Sequence, residues 1–286
     1  MTYNEICHRL AGVYDEREAK AMSRALIEDM FGFTLADILC GELDRLTAAD
    51  NQRLSDAVER LEEMEPLQYV TGKAPFAGRT FHVEPGVLIP RPETEQLCSL
   101  VAGDINATAN SGTAADSGSD ILDIGTGSGC IAITLALDTR LSRVTAWDIS
   151  SDALAIAKGN AARLGAKVDF KLQDALTPPA DLELWDAIVS NPPYICDSER
   201  NDMSENVLAH EPHQALFVPD SDPLLFYRSI ALYGKKALKH GGKLYFEINE
   251  RYARETEDML REMGYDEVHT EKDIFGKNRN TVARRI

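Results

Sequence analysis

The sequence predicts an α/β fold: a mostly parallel sheet of seven strands with helices on both faces, preceded by a small all-helical domain. Three observations carry that expectation. Short apolar runs alternate with helix-period stretches from about residue 120 onward. The first of those runs ends in a glycine-rich turn, Gly125-Thr126-Gly127-Ser128-Gly129, where a helix pattern begins. Residues 1–74, by contrast, keep apolar positions three to four residues apart.

In the N-terminal part, Ile6, Leu10 and Val13 share a helical face, as do Ala25, Leu26 and Met30, and then Leu54, Val58 and Leu61. Thr47 opens the last of these helices, with Asp50 three residues on, in the manner of a capping box with a short acid. No catalytic constellation is apparent there, and docking a partner is the role such a bundle suits. Residues 75–91 read as a hairpin linker turning at Gly78, and residues 92–286 as the main domain. Pro92, with Glu93 and Glu95 behind it, starts a helix carrying Leu97, Leu100 and Val101. Proline at a first helical position wastes no donor, and carboxylates suit the positive end. Residues 107–119 hold no large apolar side chain and read as a flexible connecting loop.

Strands are expected at 121–124, 144–149, 168–172, 187–190, 243–248, 267–270 and 281–285, with helices at about 130–137, 151–164, 223–239 and 251–263. Asp152 reads as a helix cap, and Gly241-Gly242 as the stop of the helix before the fifth strand. Only a loop separates the last two strands, so they should pair antiparallel, with the final strand running against the rest. Trp147 and Trp185 fall in strands and read as core.

Composition narrows the function classes. With 44% hydrophobic and 27% charged residues the chain reads as an ordinary globular protein. Its longest apolar run, near residues 130–137, is too short to cross a bilayer, and no basic-then-apolar leader opens the chain. Five dispersed cysteines without a C-x-x-C point to free thiols in a cytoplasmic setting, with neither a disulfide framework nor a zinc site. His210-Glu211-Pro212-His213 lacks further ligands at a useful spacing, so no metal is expected. The net charge is −17, with 8 Lys and Arg against 15 Asp and Glu in residues 1–75 and 22 against 32 in the rest. Neither part is basic, which argues against a nucleic acid as direct partner.

Two motifs carry the chemistry. In Asp123-Ile124-Gly125-Thr126-Gly127-Ser128-Gly129 the dinucleotide pattern G-x-G-x-x-G fails, because Cys130 stands where its last glycine would be. A carboxylate at Asp123 would repel a pyrophosphate and attract a cofactor bearing an ammonium group. Asp148 ends the second strand, at a distance suited to ribose hydroxyls, and Asp174 follows the third, where it would border an adenine. The second motif, Asn191-Pro192-Pro193-Tyr194, follows the fourth strand. Two prolines make a stiff corner without N–H donors. The Asn191 amide carbonyl and the Pro192 backbone carbonyl are then free to accept hydrogen bonds, and Tyr194 adds a flat wall. Glu247 lies in a central strand, either facing the site or satisfied in the core.

Together these motifs resemble those of the class I S-adenosylmethionine-dependent methyltransferases that modify planar amino nitrogens. Within that class the chain is similar to the HemK/PrmC family of peptide chain release factor N5-glutamine methyltransferases. E-P-L-Q-Y-V-T-G (65–72), L-I-P-R-P-E-T-E (88–95), N-P-P-Y-I (191–195) and E-P-H-Q-A-L (211–216) each look like its signatures. The resemblance implies methylation of the glutamine of a release factor's Gly-Gly-Gln motif; the cysteines set the enzyme in the cytoplasm, and a monomer is expected. The resemblance sets Gly125, Thr126, Gly127, Gly129, Asp148 and Asn191 against S-adenosylmethionine, beside Asp123 and Asp174 as read from the residues, and Asn191, Pro192, Pro193 and Tyr194 around the substrate amide, with Asn191, Pro192 and Tyr194 catalytic. Ala175 stands where some relatives carry an aromatic beside the adenine. Rival readings are a ribosomal-protein glutamine or a nucleobase such as adenine as acceptor, and a docking module that has lost catalysis.

Overall fold

The computed structural model describes residues 1–110 and 118–286. In chain order the N-terminal elements are α1 (Tyr3–Leu10), α2 (Glu16–Phe31), α3 (Leu35–Leu39), α4 (Ala48–Glu62) and α5 (Leu67–Thr71). A hairpin follows, β1 (Lys73–Phe76) and β2 (Arg79–His82), then α6 (Pro92–Asn110), β3 (Asp120–Ile124), α7 (Cys130–Asp138) and β4 (Arg143–Asp148). Next come α8 (Ser151–Leu164), β5 (Val168–Leu172), β6 (Trp185–Ser190), β7 (Ile195–Cys196), α9 (Glu205–His210), α10 (His213–Leu216) and β8 (Phe217–Val218). The chain finishes with α11 (Leu225–Ala237), β9 (Leu238–Glu247), α12 (Ala253–Glu262), β10 (Tyr265–Lys272) and β11 (Asn278–Arg285). The described residues form two compact units, one of residues 1–74, 83–85 and 203–211, the other of residues 75–82, 86–202 and 212–286.

In the first unit, Ile6, Leu10, Leu26, Ile27, Leu54, Val58 and Leu61 bury a common core. Val13 does not join it. Helix α1 stops at Leu10, so Val13 leaves the face that its spacing suggested and is 41% exposed. Thr47 caps α4 by accepting the Asp50 amide at 3.1 Å, but Asp50 takes the Thr47 hydroxyl proton at 2.6 Å instead of reaching back to the backbone.

The second unit holds a seven-stranded sheet in the order β10-β11-β9-β6-β3-β4-β5. Strands β9, β6, β3, β4 and β5 run parallel to one another, whereas β11 runs antiparallel to both β9 and β10. Residues alternate between the two faces of each strand. Leu122, Ile188, Leu244 and Phe246 pack on one side, with residues of α11 and α12. Ile121, Ala187, Val189 and Tyr245 pack on the other, with residues of α6 and α7. Burial on both faces explains why these strands read as continuous apolar runs.

Three boundaries differ from expectation. Of the stretch 107–119, residues 107–110 continue α6, consistent with the helix propensity of its alanines, and residues 111–117 lie outside the described residues. Ser150, not Asp152, caps α8, accepting the Ala153 amide at 3.2 Å. Gly241-Gly242 lies inside β9 while α11 already ends at Ala237, so the pair does not stop that helix. Gly241 takes a left-handed backbone at φ 79°, and Gly242 serves close strand approach. A Cβ on Gly242 would lie 2.9 Å from the Lys239 carbonyl oxygen and 3.1 Å from those of Trp185 and Asp186.

Gly242→Ala should therefore destabilise the fold by about 1–3 kcal/mol, because three backbone oxygens must give way. Gly103→Ala, at a helical position of α6 with no atom within 4 Å of the added carbon, should stabilise it by up to about 1 kcal/mol. Urea midpoints of the two variants against wild type test both signs.

Candidate active site

The glycine turn leaves β3 with Gly125 at φ 78° and Gly127 at φ 54°, a left-handed backbone that glycine adopts without Cβ strain. Its amides are turned inward. Those of Gly125 and Thr126 both donate to the Trp147 carbonyl at 2.9 Å, and that of Gly127 donates to Asp148 Oδ2 at 2.8 Å. The Gly129 amide donates to the Thr126 carbonyl at 2.9 Å. A phosphate would find four of its usual donors already engaged. A Cβ added at Gly125 or Gly127 would meet no protein atom within 4 Å, so both stay open to whatever occupies the adjoining space.

That space is a cavity of about 410 Å³ at the carboxyl ends of β3, β4 and β6. Gly125, Gly127, Asp148, Asp174, Ala175, Asn191, Pro192 and Pro193 line it, as the sequence led us to expect. Two carboxylates and no Lys, Arg or His stand among the lining residues. Asp148 is held by the Gly127 and Ser150 amides, the latter at 2.9 Å, one to each oxygen. Burial raises its pKa against those two bonds. Each oxygen keeps a lone pair for a ligand hydroxyl. The chemistry of this wall suits a ligand with hydroxyls and positive charge, and not one bearing phosphates.

Four expected contacts are not brought to the cavity wall. Asp123 is wholly buried behind the turn, where Oδ2 accepts the Thr126 hydroxyl at 2.6 Å and the Ala132 amide at 3.2 Å. Thr126 is thereby turned inward as well. Gly129 begins α7 in a tight spot, where a Cβ would lie 2.8 Å from Ile133 Cδ1. Tyr194 lends no wall, because its hydroxyl donates to Glu247 Oε1 at 3.1 Å instead.

Glu247, 1% exposed at the end of β9, also takes the Thr94 hydroxyl proton at 2.6 Å, and Asn191 Nδ2 donates to that Thr94 oxygen at 3.3 Å. Burial raises the Glu247 pKa, opposed by the Thr94 bond, the charge of Arg279 and the Tyr194 hydroxyl. Gly86, Val87 and Leu88, Pro212, Gln214 and Ala215, and Phe226 line the cavity too. None was singled out as a site residue, although the first two groups fall in or beside the quoted stretches 88–95 and 211–216. Phe226 gave no local signal that separates it from a core residue of an amphipathic helix.

The fold and this site define a methyltransferase of the class that uses S-adenosylmethionine. A family model of the methyltransferase small domain matches residues 111–217, and one of the PrmC N-terminal domain matches residues 2–72. The fold is shared with a methyltransferase from Pyrococcus furiosus, with a TM-score of 0.51 at 16% identity over 73% of this chain and 90% of that one. The release factor glutamine methyltransferase of Bacteroides thetaiotaomicron is 46% identical over 96% of each chain. That of Bacillus subtilis is 38% identical over 93% of this chain and 91% of its own. The chain belongs to the release factor glutamine methyltransferase family.

Burial among apolar side chains pushes the Asp123 carboxyl up to about 7. A folded-state pKa raised above the unfolded value near 3.9 gives stability that is complete at low pH and declines as pH rises from about 4 through about 7. Asp123→Asn should remove that decline, which is on the order of a few kcal/mol. Urea midpoints at pH 5 and pH 8 check this: relative to wild type, the variant should gain stability at the higher pH, and parallel behaviour would contradict the assignment.

Proposed function

We propose that this chain transfers a methyl group from S-adenosylmethionine to the side-chain amide nitrogen of a glutamine in a peptide chain release factor, within the Gly-Gly-Gln motif. The observation that carries the reading is the placing of Asn191 and Pro192 on the wall of the same acidic cavity as the glycine turn and Asp148. Support for the acceptor comes from relatives bearing that name whose likeness spans nearly the whole chain.

When bound, the cofactor supplies an electrophilic methyl on a positively charged sulfur. Asp148 would hold its ribose hydroxyls, Asp174 and Ala175 would border its adenine, and Gly125 and Gly127 would let its amino-acid end pass close to the backbone. Asp123 acts behind the turn, through Thr126 and the Ala132 amide. A carboxamide nitrogen is a weak nucleophile because its lone pair is delocalised into the carbonyl. The Asn191 side-chain carbonyl and the Pro192 backbone carbonyl would each accept one of its N–H groups. This would orient the nitrogen toward the methyl that the cofactor supplies. It also stabilises positive charge as it develops there. Water suffices to take the proton released, since the methylated amide is acidic. Pro192 and Pro193 keep the corner stiff and offer no competing N–H. In this reading the helical N-terminal unit docks the release factor, and the enzyme works as a cytoplasmic monomer without touching nucleic acid. The five dispersed cysteines support the cytoplasmic setting, and the acidity of both parts supports a reaction without nucleic acid.

Asn191→Ala should retain cofactor binding while its single-turnover methyl transfer falls by about 100- to 1000-fold. Asp148→Ala should lose cofactor affinity first, as read by calorimetry. Incubation with labelled methyl donor and, separately, release factor, its Gln→Ala variant, ribosomal proteins and DNA tests the acceptor. Label should enter only the intact release factor; transfer to ribosomal protein or DNA would replace the reading, and no transfer at all would favour a docking module.

A further inference from the structure

We propose that Thr94 and Glu247 are positioning residues that fix which way the Asn191 amide faces, so that its oxygen and not its nitrogen is presented to the acceptor. The inference rests on the amide-methylation reading for its purpose, but on the geometry alone for its existence.

An asparagine side chain has two nearly isosteric ends, one accepting and one donating two hydrogen bonds. Only one orientation is useful in the proposed reaction, because an –NH2 group turned on the acceptor would oppose another –NH2 group. The two orientations fill the same space, so packing alone cannot choose between them. Polarity can. Glu247 is a buried carboxylate with the Thr94 hydroxyl on Oε2 at 2.6 Å and the Tyr194 hydroxyl on Oε1 at 3.1 Å. Burial raises its pKa, and the Thr94 bond, the charge of Arg279 and the Tyr194 bond oppose that. Both of its oxygens act as acceptors here. An ionised carboxylate only accepts, so Thr94 must spend its single proton on it.

The Thr94 oxygen then has lone pairs alone to offer Asn191, and the Asn191 Nδ2 group is the end that meets it, at 3.3 Å. A reversed amide would bring two acceptors together with no proton between them. Thr94 is 2% exposed, so no solvent donor relieves that clash. The two residues after Asn191 are prolines and offer no N–H to hold its oxygen the other way. Charge on Glu247 is thus relayed as hydrogen-bond direction through one hydroxyl to the amide that lines the cavity.

Thr94→Val keeps the shape and removes the relay. Its kcat for release-factor methylation should fall by about 100-fold, with KM and cofactor Kd within about threefold of wild type. Thr94→Ser, which restores the hydroxyl, should recover to within about threefold. Glu247→Gln, which can either donate to or accept from Thr94, should lie between, about tenfold down. A purely structural pin between α6 and β9 would instead lower the urea midpoint in proportion to activity and disturb cofactor affinity.

A second readout does not depend on turnover. The Asn191 side-chain NH2 resonances, identified by their loss in Asn191→Ala, should be protected from exchange in wild type and Thr94→Ser and unprotected in Thr94→Val. Should Thr94→Val fail to fold, Glu247→Gln and Thr94→Ser carry both measurements. Unchanged kcat and unchanged protection in Thr94→Val overturn the inference while leaving the proposed function intact. If wild type methylates no release factor, the function fails, and the resonances still decide whether the relay exists.

Discussion

The buried Ser190 hydroxyl donates to the Ile124 carbonyl at 2.7 Å, between two strands whose register sets those same residues side by side. Everything functional hangs on that bond's neighbourhood. Ile124 is the last residue before the glycine turn, and Ser190 the last before Asn191. A parallel pair has evenly spaced, slanted ladder bonds that run out where the strands end. The serine supplies one more tie at the point where both chains depart. It ties the wall that carries the glycine turn to the wall that carries Asn191. An in-line transfer tolerates little error in that separation.

Much of this arrangement was legible because it is local. The glycine turn, the acids after successive strands and the proline corner are each contiguous, and open α/β sheets place their ligands at the carboxyl ends of strands. The parallel core was readable from runs such as Ala187-Ile188-Val189, which are apolar on both faces. What could not be read is either a matter of facing or of long-range pairing. Asp123 sits in the strand whose other face carries Leu122 and Ile124, and nothing in its spacing says that it points at α7 instead of the cavity. The partners of Asn191 and Glu247 through Thr94 are 97 and 153 residues away in sequence. Such pairs are fixed by topology, and only an acid among Tyr245, Phe246 and Ile248 gave warning of one. Gly241-Gly242 misled for a related reason: a glycine pair after a helix usually ends it, but here the need came from the neighbouring strand's carbonyls.

The two buried acids show different solutions to one difficulty. A carboxylate removed from water must be compensated by hydrogen bonds or charge, or else it takes up a proton. Asp123 is compensated locally, by Thr126 and the Ala132 amide, and its second oxygen has no partner among the described residues, so its pKa rises to about 7. Glu247, whose pKa burial also raises, is compensated from afar, with a donor on each oxygen and the charge of Arg279 nearby. The first is suited to shaping a turn, where a protonated acid still fills the space. The second is suited to directing other hydrogen bonds, because an acceptor-only group is what gives the Thr94 hydroxyl its direction.

The same logic of direction explains why the glycine turn is not a phosphate cradle despite its composition. In a dinucleotide site the loop amides face the ligand and the helix N-terminus completes an anion pocket. Here the amides of Gly125, Thr126 and Gly127 are consumed by the Trp147 carbonyl and the Asp148 carboxylate. Spending donors on β4 leaves the remaining lone pairs of Asp148 and the Asp174 carboxylate as the charged part of a wall that also carries Ser150, Gln173, Asn191 and Gln214. A surface that has turned its donors inward selects for a ligand rich in hydroxyls and positive charge. In the proposed reaction the cofactor's charge would be met by these acids, and the acceptor's N–H groups by the Asn191 and Pro192 carbonyls that follow β6.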